Sequence, residues 1–335
     1  MQKRLHVAGK FVVLLLLMGL IMACQPIQPE AATEDTAMAE QTEAETDSGD
    51  VIDSEISGTL LVDALQFPES PEWSSTDNAL YFVDFMTNEV LKWSDGESST
   101  FIETGEGTGP IGFTQAEDGT SWVAFYYGRV VQYSAEGELL QEVDNFEGAP
   151  FGGPNDLAFD SNGGLYFTDS GTFDDWATGD PNGAVYYLAA DGTLSQVGDE
   201  VSYANGVVLS SDESTLIVAE HRQNRLISYT INDDGTWSDK TVFYTFDDDC
   251  QVPRDECYSV GPDGIITDSS GNYWIAHNNA GKIVVLSPEG DLLKILPTAD
   301  TTSPSNLSFD DTGDVLYFSD GQNGRIYSIE LASIE

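Results

Sequence analysis

Basic residues are scarce in this 335-residue chain, which has 12 Lys and Arg against 58 Asp and Glu and a formal net charge of −46 at pH 7. Binding to nucleic acid or directly to anionic lipid needs clustered Lys and Arg, so this balance argues against both. Abundant carboxylates keep a surface hydrated, as in saline or secreted proteins, and the composition favours neither setting over the other.

The common sequence motifs of nucleotide binding and of serine or zinc hydrolysis are missing. The chain contains no G-x-S-x-G, no phosphate-binding P-loop and no H-E-x-x-H. Its glycine-rich stretch GEGTGPIG lacks the strand, helix and Lys that phosphate binding requires. Serine hydrolase chemistry is therefore not expected.

Only one long apolar run is present, and it lies at the start of the chain. A charged start precedes 13 apolar residues that end directly before Cys24. The run is too short to cross a bilayer core of about 30 Å and is typical of a signal peptide. Residues 1–24 are therefore predicted to be a lipoprotein signal peptide with lipidated Cys24 as the mature N-terminus. An ordinary signal peptide is the alternative.

Aromatic residues are absent from residues 25–57, which are rich in Ala, Thr, Glu and Asp. Such a segment buries too little apolar surface to offset the entropy of ordering, so we expect a disordered acidic linker. The protein is thus expected in the bacterial cell envelope, lipid-anchored and facing the extracytoplasmic side, or secreted. Its membrane contact would be through the lipid anchor alone.

Cysteine is rare beyond the leader, where only Cys250 and Cys257 occur. In an oxidising envelope, two cysteines within one loop favour a disulfide. A reduced pair or a metal clip is the alternative, although no His or further Cys lies nearby to complete a soft-metal set.

A short phrase returns six times: an apolar strand, a turn of Ser, Asp and Gly, and an aromatic strand that ends in a carboxylate or a similar residue. The copies open near Glu69, Pro110, Asn155, Asn205, Asp263 and Ser305. Their spacing of about 41 to 58 residues is close to that of one four-stranded propeller blade. The sequence therefore predicts an all-β, six-bladed β-propeller over residues 58–335, with no helix in this domain.

The openings of the six copies carry the candidate chemistry. Alignment places the following residues at the start of each first strand: Glu69, Ile111, Asn155, Asn205, Asp263 and Ser305. The first strand of a blade is innermost, so these positions face the mouth of the central channel. Four of them bear carboxylate or amide oxygens, which Ca²⁺ prefers; Mg²⁺, Mn²⁺ or Zn²⁺ are alternatives, although the lack of converging His or Cys argues against a dedicated zinc site. Asn and Asp also suit turns, but a turn does not favour Glu69, and the joint pattern indicates a metal site.

The segments PESPEW, GGPNDLAFDSNGGLYFTD, YANGVVLSSDESTLIVAE and GPDGIITDSSGNYWIA resemble the signature segments of the senescence-marker-protein/gluconolactonase family, which includes regucalcin. The likeness extends from about Leu60 to the end and is greatest with the bacterial lactonases. It implies a six-bladed propeller with a divalent metal, usually Ca²⁺, at the channel mouth. The resemblance implies these metal ligands: Glu69, Asn155, Asn205 and Asp263.

The resemblance also implies a reaction. A metal at this place would polarise a lactone carbonyl, and Asp263 would act as the acid/base that deprotonates the attacking water. A covalent route through Asp263 is the alternative chemistry. The expected partner is a small lactone or related ester, and the expected state is a monomer. A non-catalytic envelope binding lipoprotein and a phosphotriesterase-type hydrolase on the same site are the alternative functions.

One departure from the family concerns the substrate. The animal gluconolactonases carry an Arg where this chain has Gly153, so a sugar-hydroxyl anchor is missing. Candidate replacements are Arg129, Tyr126, Trp176 and His277, each of which also suits a surface or strand position. His277 ends the aromatic strand of the fifth copy, where it would overhang the mouth; a turn-stabilising role is the alternative.

The carboxylates at the same position of the other copies are interpreted as turn and hairpin partners. They are Asp84, Asp169, Glu220 and Asp320. The stretch DDWATGDPNG in the third copy is expected to be a long acidic loop that caps the channel or holds a second Ca²⁺.

Overall fold

The computed structural model describes residues 55–116, 118–247 and 259–334. The predicted lipidation site at Cys24 and the predicted disulfide between Cys250 and Cys257 lie outside these residues. Within them the chain forms six four-stranded antiparallel sheets, the blades of a propeller. The prediction of an all-β, six-bladed fold is therefore confirmed. In the described part of the chain, no helix is long and apolar enough to cross a membrane.

The strands follow the repeat in chain order. Strand β1 is Thr59–Val62. Blade 1 consists of β2 (Pro68–Ser74), β3 (Ala79–Asp84), β4 (Glu89–Ser94) and β5 (Glu97–Glu103). Blade 2 consists of β6 (Pro110–Gln115), β7 (Ser121–Phe125), β8 (Arg129–Tyr133) and β9 (Leu139–Val143). A small hairpin, β10 (Asn145–Phe146) and β11 (Ala149–Pro150), leads to blade 3.

The remaining blades repeat this arrangement. Blade 3 consists of β12 (Pro154–Phe159), β13 (Leu165–Asp169), β14 (Gly183–Leu188) and β15 (Leu194–Val201). Blade 4 consists of β16 (Ala204–Leu209), β17 (Thr215–Glu220), β18 (Arg225–Thr230) and β19 (Thr241–Thr245). Blade 5 consists of β20 (Gly261–Thr267), β21 (Tyr273–Asn278), β22 (Lys282–Leu286) and β23 (Leu292–Pro297). Blade 6 consists of β24 (Pro304–Phe309), β25 (Val315–Asp320), β26 (Arg325–Glu330) and β1.

Apolar side chains on both faces of the strands explain why the blades pack side by side. In β3, Ala79, Tyr81 and Val83 join a cluster with blade 2, whereas Leu80 and Phe82 join a cluster with blade 6. Successive side chains of a strand point to opposite faces, so an uninterrupted apolar run serves two interfaces. The described core consists of six such clusters, each between two neighbouring blades.

The first strands of the blades line the axis. Each contacts the first strands of the blades before and after it, and β24 of blade 6 contacts β2 of blade 1. The ring is closed by the N-terminal strand β1, which pairs with β26. Just before it, the Ile56 N–H donates to the Pro297 carbonyl at 2.8 Å, and the Ala299 N–H donates to the Ile56 carbonyl at 2.8 Å. Residues that precede the first repeat therefore form hydrogen bonds with both blade 5 and blade 6.

The acidic stretch between β13 and β14 is not only a loop. It contains a short helix, α1 (Phe173–Thr178), so the expectation of a domain without helices is wrong there. Thr172 caps the helix, because its side chain accepts the Asp175 N–H, and the Asp175 carboxylate accepts from the Thr172 backbone N–H at 2.7 Å. The sequence signal was this Thr-x-x-Asp spacing, which resembles a capping box. Asn182 also donates to the Asp175 carboxylate at 2.7 Å.

Candidate functional site

The four predicted oxygen donors lie where the sequence places them, at the start of an inner strand. Glu69, Asn155 and Asn205 are the second residues of β2, β12 and β16, and Asp263 is the third residue of β20. The first three are about 6 % exposed, whereas Asp263 is partly exposed. The inner strands run in the same direction around the axis, so these positions share one end of the channel.

Each of these strands has a register shift that includes or begins at its candidate residue. The pairing register shifts between Glu69 and Glu72 in β2, and between Pro262 and Ile265 in β20. The corresponding shifts in β12 and β16 follow Pro154 and Ala204. A bulge bends its strand and changes the direction of a side chain. The side chains at these strand starts therefore point differently from what strict alternation along the strand would give.

Two glycines allow the inner strands to approach each other at this level. A Cβ at Gly112 would collide with the backbone carbonyl of Asn155, and a Cβ at Gly206 would collide with that of Asp263. Gly206 follows Asn205 directly. The glycine in the ANG segment therefore serves close strand packing and not a turn.

Glu69 and Asp263 interact electrostatically. Burial, followed by the negative charge of Asp263, raises the pKa of Glu69 well above its usual range, while a hydrogen bond from Ser305 opposes this. Burial, followed by the charge of Asp156, raises the pKa of Asp263, while hydrogen bonds from Asn205 and Asn278 oppose this. The two carboxyls and the Asn205 amide thus belong to one cluster.

Asn155 is held by an adjacent hydroxyl. Its Nδ2 donates to Ser170 Oγ at 3.0 Å. The next residue along the strand, Asp156, crosses to blade 4, where its Oδ2 accepts the Val207 N–H at 2.9 Å. Because Asp156 also acts on Glu69 and Asp263, the Asn155 strand lies beside the same cluster.

Asp156, which is buried, and Glu72, which is partly exposed, are two acids that the sequence analysis missed. Burial raises the pKa of Asp156 to about 6. Burial and then the charge of Asp156 raise the pKa of Glu72 to about 8, against hydrogen bonds from the Gln115 backbone and the Thr114 side chain. The available signal was a carboxylate within each inner strand, in PESPEW and in PNDL, where an apolar residue would be the default.

The donor set fits a hard divalent cation. It combines two carboxylates with two amides, and the charges acting most strongly on the carboxylates are other carboxylates. Bringing a cation among them would relieve that repulsion, and Ca²⁺ accepts both donor types. Among the described residues, no three Asp, Glu, His or Cys side chains meet in a group able to hold a metal ion. The candidate site therefore depends on its Asn amides.

Aromatic side chains lie beside the cluster. Tyr203 has a positive φ of 62°, and its pKa is raised by burial and by the charges of Asp263 and Glu69. Trp176 of α1 lies 6.5 Å from the Tyr203 ring, between centroids. Phe173 of α1 packs on Tyr126 at 4.3 Å. The helix α1 thus brings two aromatic rings to this end of the channel.

The predicted substrate contacts differ in exposure. Trp176 is partly exposed, whereas Tyr126 is 2 % exposed and His277 is fully buried. His277 Nε2 lies 2.7 Å from Asn224 Oδ1, and its ring packs against Phe246 at 4.6 Å. A substrate contact by these three residues remains a prediction.

Two other basic residues have defined surroundings. Arg129 lies 3.6 Å from Glu142 and over the Phe125 ring, within its own blade. Arg222, which the sequence analysis missed, is buried, and its guanidinium lies against Gly179 at the end of α1. Its only sequence signal is a basic residue shortly after β17 of blade 4.

The carboxylates at the strand ends anchor the segments that lead into the inner strands. Asp84 accepts the Gln66 N–H at 2.8 Å, and Asp169 accepts the Gly152 N–H at 2.8 Å. Glu220 accepts the Ser202 N–H at 2.9 Å. Asp320 accepts the Asn323 N–H at 3.0 Å, within its own hairpin. In these contacts Asp320 is a turn partner, as interpreted from the sequence, whereas Asp84, Asp169 and Glu220 hold the segments that enter their blades.

Comparison with known proteins places this chain among related sequences. Residues 67–318 match the family model described as the SMP-30/Gluconolactonase/LRE-like region. A gluconolactonase of Zymomonas mobilis subsp. mobilis is 27 % identical over 289 residues, which cover 79 % of each chain. The lactonase drp35 of Staphylococcus haemolyticus is 36 % identical over 137 residues, and this match spans only 41 % of this chain and 39 % of that protein.

Solved structures share the fold. A gluconolactonase from Xanthomonas campestris superposes with a TM-score of 0.67 at 23 % identity, covering 81 % of this chain and 88 % of that one. The calcium-binding protein regucalcin from Agrobacterium tumefaciens gives a TM-score of 0.66 at 17 % identity, covering 83 % and 94 %. At these identities the likeness extends to the fold alone.

Proposed function

The chain belongs to the SMP-30/gluconolactonase family, and from this premise we propose that it is a metal-dependent hydrolase that opens lactone rings. The observation that carries the proposal is the carboxyl pair of buried Glu69 and partly exposed Asp263, beside the Asn155 and Asn205 amides at one end of the channel. The names of the similar proteins, gluconolactonase and lactonase, support the substrate class.

Glu69, Asn155, Asn205 and Asp263 would hold the divalent ion, for which Ca²⁺ is the best match. When bound, such an ion supplies Lewis acidity and stabilises negative charge on a carbonyl oxygen. The protein's part is to place these donors on four rigid inner strands, with bulges and the close approach at Gly206 setting their positions.

Asp263 is the proposed acid/base. A bound cation would keep its carboxylate ionised against the charge of Asp156, and an ionised carboxylate can accept a proton. It would accept a proton from water while the water oxygen bonds to the lactone carbonyl carbon. The bond between that carbon and the ring oxygen then breaks, and the proton passes to the leaving oxygen. The product is a single hydroxy acid, which carries a new carboxyl group and a free hydroxyl.

Tyr203 supplies a second polar group. Its raised pKa keeps the phenol protonated near neutral pH, so it is available as a hydrogen-bond donor beside the two carboxyls. Trp176 at the same end would contact the non-reacting part of the substrate.

The test is a hydrolysis screen on purified protein with sugar, alkyl and aromatic lactones and with phosphotriesters, before and after chelation and after return of Ca²⁺, Mg²⁺ or Mn²⁺. We expect lactone opening that chelation abolishes and a divalent ion restores. Full activity of the chelated protein would disprove the metal requirement. Turnover of phosphotriesters alone, or ligand binding without turnover, would replace the lactonase assignment by one of the other functions.

A further inference from the structure

The Ser170 hydroxyl lies between two inner strands of the site. Ser170 follows β13 directly and is 1 % exposed. Its Oγ lies 3.0 Å from Asn155 Nδ2 and 2.6 Å from the Ala204 carbonyl oxygen. Ala204 immediately precedes Asn205. One hydroxyl thus touches the side chain of one candidate ligand and the backbone next to another.

The number of hydrogens decides which end of the Asn155 amide faces Ser170. A serine hydroxyl has one hydrogen, and the Ala204 carbonyl can only accept a hydrogen bond. At 2.6 Å that carbonyl takes the Ser170 hydrogen, which leaves Oγ able only to accept from Asn155. The amide NH₂ must therefore face Ser170, and the carbonyl oxygen Oδ1 is turned away from it.

The orientation of this amide matters for a cation. An Asn binds a cation through Oδ1, whereas its NH₂ group carries partial positive charge and repels one. Without a partner that tells the two ends apart, the amide could rotate by half a turn with little change in shape. We propose that Ser170 is a positioning residue: it fixes the Asn155 amide with Oδ1 available to the cation. This inference rests on the proposed function.

Thr168 offers a matched control on the same strand. It is fully buried, and its Oγ1 accepts the Asp156 N–H at 3.0 Å and donates to the Asn205 carbonyl at 2.7 Å. Like Ser170, it joins blades 3 and 4 through one hydroxyl. Its partners are two backbone groups, so removing its hydroxyl disturbs the blade contact and leaves the Asn155 side chain with its own partner.

The experiment measures Ca²⁺ affinity by isothermal titration calorimetry on the purified full-length protein after chelation, with thermal unfolding followed in parallel. Removal of a group that orients a metal ligand typically weakens metal binding by about 10- to 100-fold, and we expect this loss for Ser170→Ala. For Thr168→Val we expect a lower unfolding temperature and a Kd close to that of the unchanged protein. Ser170→Cys, which keeps the volume and a weaker donor, should lie between Ser170→Ala and the unchanged protein.

A second background separates orientation from packing. Asn155→Asp replaces the amide by a carboxylate with two equivalent oxygens, for which a half-turn changes nothing. In that background Ser170→Ala should cost no more than about threefold in Kd, because no orientation remains to be fixed. This comparison uses pairs of variants, so it also holds where Ser170→Ala lowers stability.

Three results would overturn the inference. The first is an unchanged Ca²⁺ Kd in folded Ser170→Ala. The second is an equal loss of Ca²⁺ affinity on Ser170→Ala in the Asn155→Asp background and in the unchanged protein. If the unchanged protein bound none of Ca²⁺, Mg²⁺ or Mn²⁺, the metal part of the proposed function would fall as well. The first two results leave that function standing.

Discussion

Asp263, on the inner strand of blade 5, lies close enough to Glu69, on the inner strand of blade 1, to raise the pKa of that buried glutamate. The two residues are almost 200 positions apart in the sequence, and the ring brings them together. The surroundings of both carboxyls disfavour their charged forms. Two acids held in such surroundings indicate a functional site and not a pair of turn residues.

The two carboxyls should differ in function. Asp263→Asn removes the proton acceptor and is expected to lower kcat by about 10²- to 10⁴-fold, the usual contribution of a general base. Glu69→Gln should act mainly by raising the Ca²⁺ Kd, so that added Ca²⁺ restores part of its activity. Steady-state kinetics over a range of Ca²⁺ concentrations distinguishes the two, with exposed Asp233→Asn as the control. Recovery of Asp263→Asn by Ca²⁺ alone would contradict its role as base.

Glu72 should make the metal-free protein less stable as the pH rises. Its pKa is about 8 when folded, against an ordinary 4.5, so the folded state holds the proton more tightly. This contribution is complete below about pH 4.5 and is lost as the pH rises through about 8. Glu72→Gln should therefore raise the unfolding temperature at pH 8.5 and not at pH 4.5. Thermal scans at both pH values test this, and Glu97→Gln on the exposed edge of blade 1 should show no such difference.

The contact before β1 should contribute strongly to stability. Ile56 is 6 % exposed and packs in the cluster between blades 5 and 6. Ile56→Ala should lower the free energy of unfolding by about 2–5 kcal/mol, as for other buried aliphatic truncations. Leu60→Ala, at a site on β1 that is 46 % exposed, should cost much less. Urea unfolding measures both, and equal losses would show that Ile56 does not help to hold the ring closed.

Trp176 should act on substrate binding and not on the chemical step. It is partly exposed beside Tyr203, so Trp176→Ala should raise KM about tenfold for the best lactone and change kcat less than threefold. Trp237→Ala is the matched control, because Trp237 in blade 4 packs on Tyr166 and Tyr187 of blade 3. A selective loss of kcat in Trp176→Ala would place this residue in the chemistry instead.

Cys24 should carry lipid. Cys24→Ser is expected to abolish incorporation of labelled fatty acid and to shift the protein from the membrane to the soluble fraction of a bacterial host. Mass spectrometry of the mature N-terminus provides an independent check. A free, unmodified Cys24 in the exported protein would indicate an ordinary signal peptide.

The parts of this molecule that repeat were predictable from the sequence. The period of the strands set the number of blades, and the same alignment located Glu69, Asn155, Asn205 and Asp263 at the strand starts. These features depend on local patterning, which recurs in every copy.

The parts that break the repeat were not predictable. The bulge after Glu69 moves Glu72 relative to strict alternation, so its contact with the Asp156 charge is visible only in three dimensions. His277 occupies the position of a carboxylate and is buried against Phe246, which follows the last strand of blade 4; no local pattern encodes this contact between neighbouring blades. The closing contact of Ile56 joins residues more than 200 positions apart.

The six apolar clusters, each formed between two neighbouring sheets, mean that no blade has an interior of its own. A single blade taken from the ring would expose two apolar faces to water. Unfolding of one blade within the ring would remove apolar contacts from both of its neighbours. Unfolding should therefore spread around the circle as one event, and damage far from the channel mouth would still loosen the geometry of the four oxygen donors.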